Sequence, residues 1–198
     1  MSNNPELPQM MEATDSELML RLAAGQDPAL NELMNRWRDR VASFLFRMTG
    51  HTETAADLAQ ETFVKLYQAR RRYQPEGKFS TYLFGIAANL GRNHARWKRR
   101  HPTVSLDGTA DGMPALHELM DNAQTPDEAA CSVERLHAIH RAFHGLAADL
   151  REAMSLFIYE DMGYAEIASV VGSSPKTVET RIYRARKILK EQLKNIRS

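Results

Sequence analysis

The chain has 198 residues, 43% of them hydrophobic and 26% charged, an ordinary globular balance that argues against wholesale disorder. Its single cysteine, Cys131, excludes an internal disulfide and fits a reducing compartment. The formal net charge of +1 conceals three blocks: 15 Lys/Arg against 11 Asp/Glu in residues 1–100, seven acids and no Lys or Arg in His101–Glu134, and 11 Lys/Arg against seven acids in residues 135–198. Two basic modules joined by an acidic strap is the pattern of a protein that meets a polyanion at two places. No run of about 18 apolar residues occurs, and the polar stretch Met1–Met11 lacks the features of a signal peptide. The expectation is a cytoplasmic protein without membrane insertion.

Residues 1–13 are polar and are expected to be disordered. Thr14-Asp15-Ser16-Glu17 reads as a capping box opening a short helix that stops at Gly25. Asp27-Pro28 supplies an N-cap and a first-turn proline for a second helix. Leu30, Leu33, Met34, Trp37, Val41, Phe44, Leu45 and Met48 give this helix an apolar stripe at spacings of three and four, ending before Gly50. A third helix is expected from about Thr54 to Arg71, with Leu58, Thr62 and Leu66 inward. After a Pro- and Gly-bearing loop, a fourth runs from about Ser80 to Arg100 with Leu83, Ile86, Leu90 and Trp97 on one side.

Residues 101–130 are punctuated by Pro102, Gly108, Gly112, Pro114 and Pro126 and keep no apolar period, the mark of a flexible acidic linker. Helices resume near Pro126 or Ala129 with Leu136, Ile139 and Phe143 inward. Others follow over Leu146–Tyr159, Tyr164–Val171 and Ser174–Ile196. No period-two stretch is long enough for a strand. The fold class is all-α: two small helical domains, residues 14–100 and 131–198, joined by the linker.

Three faces carry candidate chemistry. Tyr164–Val178 has helix-turn-helix grammar: small Ala168, Gly172 for the tight turn, and Ser174-Pro175 to start the second helix. Lys176, Thr177, Thr180, Arg181 and Arg184 crowd its first turns, where a recognition helix meets base edges and phosphates. On the fourth helix Asn89, Arg92, Asn93, Arg96, Arg99 and Arg100 recur opposite the apolar side, amides and guanidinium groups suited to bases and phosphates. Tyr73, Phe79, Tyr82 and Trp97 are aromatics nearby, with Phe79 and Trp97 assigned to the core. The third helix presents Asp57, Gln60, Glu61 and Lys65. Three readings of it stand: metal ligands, a solvated face with a Glu61–Lys65 pair, or an acidic docking face for a basic partner. His137, His140 and His144 lie at i, i+3 and i+7 with Cys131 upstream, a spacing compatible with a transition metal, although the expectation is that no cofactor is bound.

Asp57-Leu58-Ala59-Gln60-Glu61-Thr62-Phe63, then Phe79-Ser80-Thr81-Tyr82-Leu83-Phe84-Gly85-Ile86-Ala87-Ala88-Asn89 and a basic run, resemble region 2 of sigma-70-family transcription initiation factors. Ala165-Glu166-Ile167-Ala168 with Thr177–Arg186 resembles region 4. With only these two regions and a short linker, the chain is similar to the extracytoplasmic-function (ECF) subgroup. The resemblance implies a non-enzymatic promoter-specificity factor with core RNA polymerase, promoter DNA and an anti-sigma factor as partners. It assigns Asp57, Gln60 and Glu61 to polymerase docking. Lys78, Tyr82, Asn89, Arg92, Asn93, Arg96, Arg99 and Arg100 fall to reading and melting the −10 element; Lys176, Thr177, Glu179, Thr180, Arg181 and Arg184 fall to the −35 element. It also threads the acidic linker through the polymerase. Glu179 stands where many relatives carry a basic residue, leaving it to accept from cytosine or to pair with a neighbouring Arg. A two-domain helix-turn-helix regulator acting without replacing the polymerase's sigma subunit would share the C-terminal block, but would not need the acidic face of the third helix. A carboxylate-dependent nuclease would cleave DNA with metal.

Overall fold

A computed structural model describes residues 13–101 and 137–194; the acidic linker, Cys131 and both chain ends lie outside the described residues. The described residues form helices and no strand. The N-terminal module comprises α1 (Asp15–Ala23), α2 (Pro28–Thr49), α3 (Thr52–Ala69) and α4 (Phe79–Arg100), with a single 3-10 turn at Arg70–Arg72 after α3. The C-terminal module comprises α5 (described over 137–144), α6 (Ala148–Tyr159), α7 (Tyr164–Val171) and α8 (Pro175–Gln192).

The capping box at α1 forms as the sequence predicts: Thr14 Oγ1 accepts from Glu17 N–H at 3.3 Å, and Glu17 Oε2 accepts from Thr14 N–H at 2.8 Å. Asp27 differs from its expected role. Its backbone is already helical and its side chain caps nothing; Asp27 Oδ1 instead accepts from the Tyr67 hydroxyl at 3.2 Å, tying the start of α2 to α3. Asp15 fixes α1 onto α2 by accepting from the Trp37 indole at 3.0 Å and from Arg36 at 3.1 Å.

The apolar stripe of α2 fills the module's centre. Leu33, Val41, Phe44 and Leu45 are fully buried, and Phe44 meets Phe84 of α4 edge-on at 5.3 Å. Phe79 is core as expected, packed edge-on against Trp37 at 5.7 Å. Trp97 is a correction: it is 49% exposed, because α4 runs past the end of the four-helix core, and its ring stacks on His101 at 5.1 Å. Ile139 is a second: it lies on the exposed side of α5, while Phe143 turns inward.

In the C-terminal module Leu150, Ala153, Leu156, Ile167, Val178 and Ile182 form the buried centre. Gly172, at φ +67°, makes the tight turn between α7 and α8, a conformation that a Cβ would strain. Ser174 then caps α8 by accepting from Thr177 N–H at 3.1 Å.

The two modules pack on each other, α6 against α2 and α7 against α4. Glu160, with a side chain only 2% exposed, is gripped by Arg40 and Arg47 of α2, each at 3.0 Å. Glu152 of α6 pairs with Arg92 of α4, Lys78 pairs with Glu166 of α7 at 3.0 Å, and Arg151 donates to the Met48 carbonyl at 3.2 Å.

Candidate polymerase and nucleic-acid interfaces

The basic face of α4 arises because Ala87, Leu90 and Gly91 turn inward and leave the intervening positions outside. Asn93, Arg96, Arg99 and Arg100 line an open depression near its C-terminal end. Amide and guanidinium groups are linked along the helix: Arg96 donates to Asn93 Oδ1 at 2.5 Å, and Arg92 donates to Asn89 Oδ1. Four of the six residues are thus held in i, i+3 pairs, with the depression left open to a phosphate backbone. Lys78 lies just before α4 and Tyr82 in its first turn. The Tyr82 ring is half-buried against Tyr73, centroids 5.2 Å apart, and burial pushes its hydroxyl above the usual phenol range. Tyr82 is thus partly covered, whereas Trp97, on the same helix, is largely exposed with its ring stacked on His101.

Arg92 is not free in this arrangement. Its guanidinium bridges Asn89 and Glu152, the latter a carboxylate 5% exposed that belongs to the other module. Burial raises the Glu152 carboxyl above its ordinary range, and Arg92 pulls it back. Glu160 follows the same pattern, raised by burial and offset by Arg40 and Arg47. For Arg47, burial lowers the guanidinium and Glu160 counters. Each charge is costly alone and tolerable as a set.

On α8, the buried line Val178, Ile182 and Ala185 sends Lys176, Thr177, Glu179, Thr180 and Arg184 outward. Glu179 accepts from Lys176 at 2.8 Å rather than from an arginine, and holds the Lys176 ammonium above its usual range. Arg181 sits on the flank, half-buried, with its Nε 3.3 Å from Asp149 of α6. Tyr183, which the pattern of charges did not single out, is 69% exposed on this face. The signal was available: an aromatic at the position between Thr180 and Lys187, out of phase with the apolar stripe.

On α3, Asp57, Gln60 and Glu61 all lie on the exposed face, away from Leu58, Ala59, Thr62 and Phe63. Glu61 pairs with Lys65 at 3.3 Å, as the i, i+4 spacing predicts. Among the described residues no group of three or more His, Cys, Asp or Glu is placed to hold a metal. This leaves a solvated or docking face. The Cys131 part of the candidate histidine site lies outside the described residues. No described helix is long and apolar enough to cross a membrane.

Residues 33–101 match sigma-70 region 2, and residues 136–189 match sigma-70 region 4. The RNA polymerase sigma-H factor of Pseudomonas aeruginosa is 31% identical over 182 residues, covering 90% of this chain and 93% of that protein. The ECF RNA polymerase sigma factor SigW of Bacillus subtilis is 26% identical, covering 94% of this chain and all of that protein. Among solved structures, CnrH in complex with the cytosolic domain of CnrY superposes with a TM-score of 0.63 at 26% identity, covering 90% of this chain and 96% of that one. The sigma factor RpoE of Bartonella quintana, in complex with the anti-sigma factor NepR, has the same fold at a TM-score of 0.63 and 22% identity, covering 83% and 96%. The chain belongs to the sigma-70 family of transcription initiation factors, in its ECF subgroup. Its function is that of a promoter-specificity subunit for RNA polymerase, which the fold and both regions support over a free-standing helix-turn-helix regulator.

Proposed function

We propose that residues 14–100 dock on core RNA polymerase and engage the −10 element, that residues 131–198 engage the −35 element, and that residues 101–130 link them. The observation that carries this reading is the separation of two basic helix faces, on α4 and α8, onto two modules, with an exposed acidic face on α3. Asp57, Gln60 and Glu61 supply the docking contact through charge complementarity with a basic partner surface. Lys78, Asn89, Arg92, Asn93, Arg96, Arg99 and Arg100 hold the strand backbone and read unpaired bases, with Tyr82 at the edge. Lys176, Thr177, Glu179, Thr180, Arg181 and Arg184 meet the −35 duplex in the major groove, joined by Tyr183, whose exposed ring fits a thymine methyl.

Duplex melting is driven by binding energy, and the protein catalyses no covalent step of its own. It acts in the cytoplasm. An anti-sigma factor is a further partner; the similar CnrH is seen bound to the cytosolic domain of CnrY, and RpoE of Bartonella quintana, of the same fold, to the anti-sigma factor NepR.

Run-off transcription with core polymerase and this chain on genomic DNA tests the reading. The expected result is discrete start sites that require both proteins; transcripts unchanged by adding the chain would overturn it. In the same assay the Asp57→Ala, Glu61→Ala double variant is expected to weaken core binding at least tenfold without changing thermal stability. Unchanged core affinity would remove the docking role from α3.

A further inference from the structure

Five of the seven histidines converge along the seam between the modules. His140 and His144 of α5 lie with ring centroids 4.3 Å apart, and both rest on Phe46 of α2: His140 stacks at 5.4 Å and His144 meets its edge at 6.2 Å. His144 also abuts Gly50, where a Cβ would stand 3.4 Å from the imidazole, so the glycine admits the ring. Next to Gly50 is His51, at the start of α3, whose Nε2 lies 3.0 Å from Lys98 Nζ of α4. His94 of α4 is electrostatically coupled to His51, and His137 of α5 to His140.

The chemistry of this seam is one-sided. The Nε2 atoms of His140 and His144 are shut from solvent and meet no acceptor. A second ring proton would be buried there with nothing to receive it. The charged groups acting on His144 are His140, Arg151 of α6 and His51; His137 acts on His140, and Lys98 with His51 acts on His94. All are bases. Lys98 has only protons to give to His51 Nε2. The carboxylates that hold the modules together, Glu152, Glu160 and Glu166, are engaged with Arg92, Arg40, Arg47 and Lys78 and do not serve the histidines.

We propose that the His140–His144 pair in this row is a proton-operated latch, which permits the closed packing of the two modules while its rings are neutral and drives them apart when they take up protons. Opening would release Arg92 from Glu152 and Lys78 from Glu166, freeing the α4 face. Burial first, then the neighbouring His140, Arg151 and His51, lower His144 from an ordinary histidine value to about 4 in the closed form, and His140 is lowered as well. The sign follows: the open form binds more protons, so the contribution of His144 to closure is complete above the ordinary value and declines as pH falls toward about 4. Glu152 and Glu160, whose carboxyls are raised by burial, pull the opposite way at lower pH, so the latch is read between pH 7.5 and 5.5.

The latch goes beyond the promoter reading and is tested on the free chain, so either can fail without the other. Single-molecule energy transfer between dyes on Glu53→Cys and Lys187→Cys, in a Cys131→Ser background at constant ionic strength, reports the separation of the modules. The ratio of open to closed molecules is expected to rise about tenfold from pH 7.5 to 5.5 through His144 alone. His140→Gln with His144→Gln is expected to hold that change below about twofold, while His137→Gln, on the exposed side of α5, keeps at least half of it. His140→Phe with His144→Phe preserves the ring contacts with Phe46 and serves if the Gln pair impairs folding; it too is expected to be flat. A ratio that does not change with pH in the parent chain, or a full tenfold response surviving in either double variant, would overturn the latch.

Discussion

The basic faces of α4 and α8 look alike in sequence and differ in what they touch. Arg92 and Lys78 in and before α4 are committed across the seam to Glu152 and Glu166 of the other module. On α8 the pairs are local, Lys176 with Glu179, Arg181 with Asp149 and the Thr180 hydroxyl with the Lys176 carbonyl, all within the C-terminal module. The closed form therefore neutralises part of one proposed DNA face with carboxylates from the other module and leaves the second face open. Closure is then a competitor for −10 contacts, not for −35 contacts.

The largest effect should come from the buried carboxylate that clamps α2. Glu160→Gln leaves Arg47 half of its ion pair in a site where its side chain is 14% exposed. Losing one partner of a buried pair costs about 3–5 kcal/mol, which the molecule escapes by opening. Closed packing is thus expected to be lost, with each module still folded. Scattering or inter-module energy transfer would show an expanded chain with unchanged helical content; an unexpanded chain would mean that apolar packing alone holds the seam.

Arg92→Ala sharpens the asymmetry at intermediate size. In the parent chain Arg92→Ala removes a strand contact but also strips buried Glu152 of its partner and so favours opening, which frees the rest of the α4 face. The two effects offset and −10 single-strand binding should change little, whereas in the already open Glu160→Gln background only the lost contact remains and should cost about 1–3 kcal/mol. Arg184→Ala should weaken binding of a −35 duplex by a similar amount in both backgrounds. Anisotropy titrations at one fixed salt concentration read all four values. Equal losses for Arg92→Ala in both backgrounds would separate closure from the α4 face.

Local grammar made most of the fold legible. The capping box at Thr14, Gly172 in its left-handed turn and the bounds of α7 are set by residues within one or two turns of themselves. The errors fall where distant contacts decide. Trp97 has the right phase for the core, but α4 outruns the helices it packs on, and nothing in its own sequence marks where that support ends. Asp27 has N-cap chemistry, yet Tyr67, 40 residues away, claims its carboxylate. The candidate faces on α3, α4 and α8 were legible because each is the polar complement of an apolar stripe. The carboxylates Glu152, Glu160 and Glu166 were not, since their importance arises only when a second module brings arginines and a lysine to them.

The smallest effect lies in the helices themselves. α8 has no interior glycine, whereas α4 carries Gly85 and Gly91. Gly91 lies against α2, where a Cβ would stand 3.5 Å from Leu45 Cδ2 and 3.8 Å from Met48 Cβ, so a substitution there would add packing contacts to any change in backbone freedom. At Gly85 a Cβ meets nothing within 4 Å. No packing reason then requires glycine, and its cost is the backbone freedom it surrenders when α4 forms. Gly85→Ala is expected to stabilise the N-terminal module by about 1 kcal/mol in denaturant unfolding, with −35 binding unchanged. If stability rises while −10 strand binding falls, α4 must yield at Gly85 when the strand is seated, a requirement that α8, docking as a rigid helix, does not share. If stability falls instead, Gly85 has a packing role that the free space around it does not reveal.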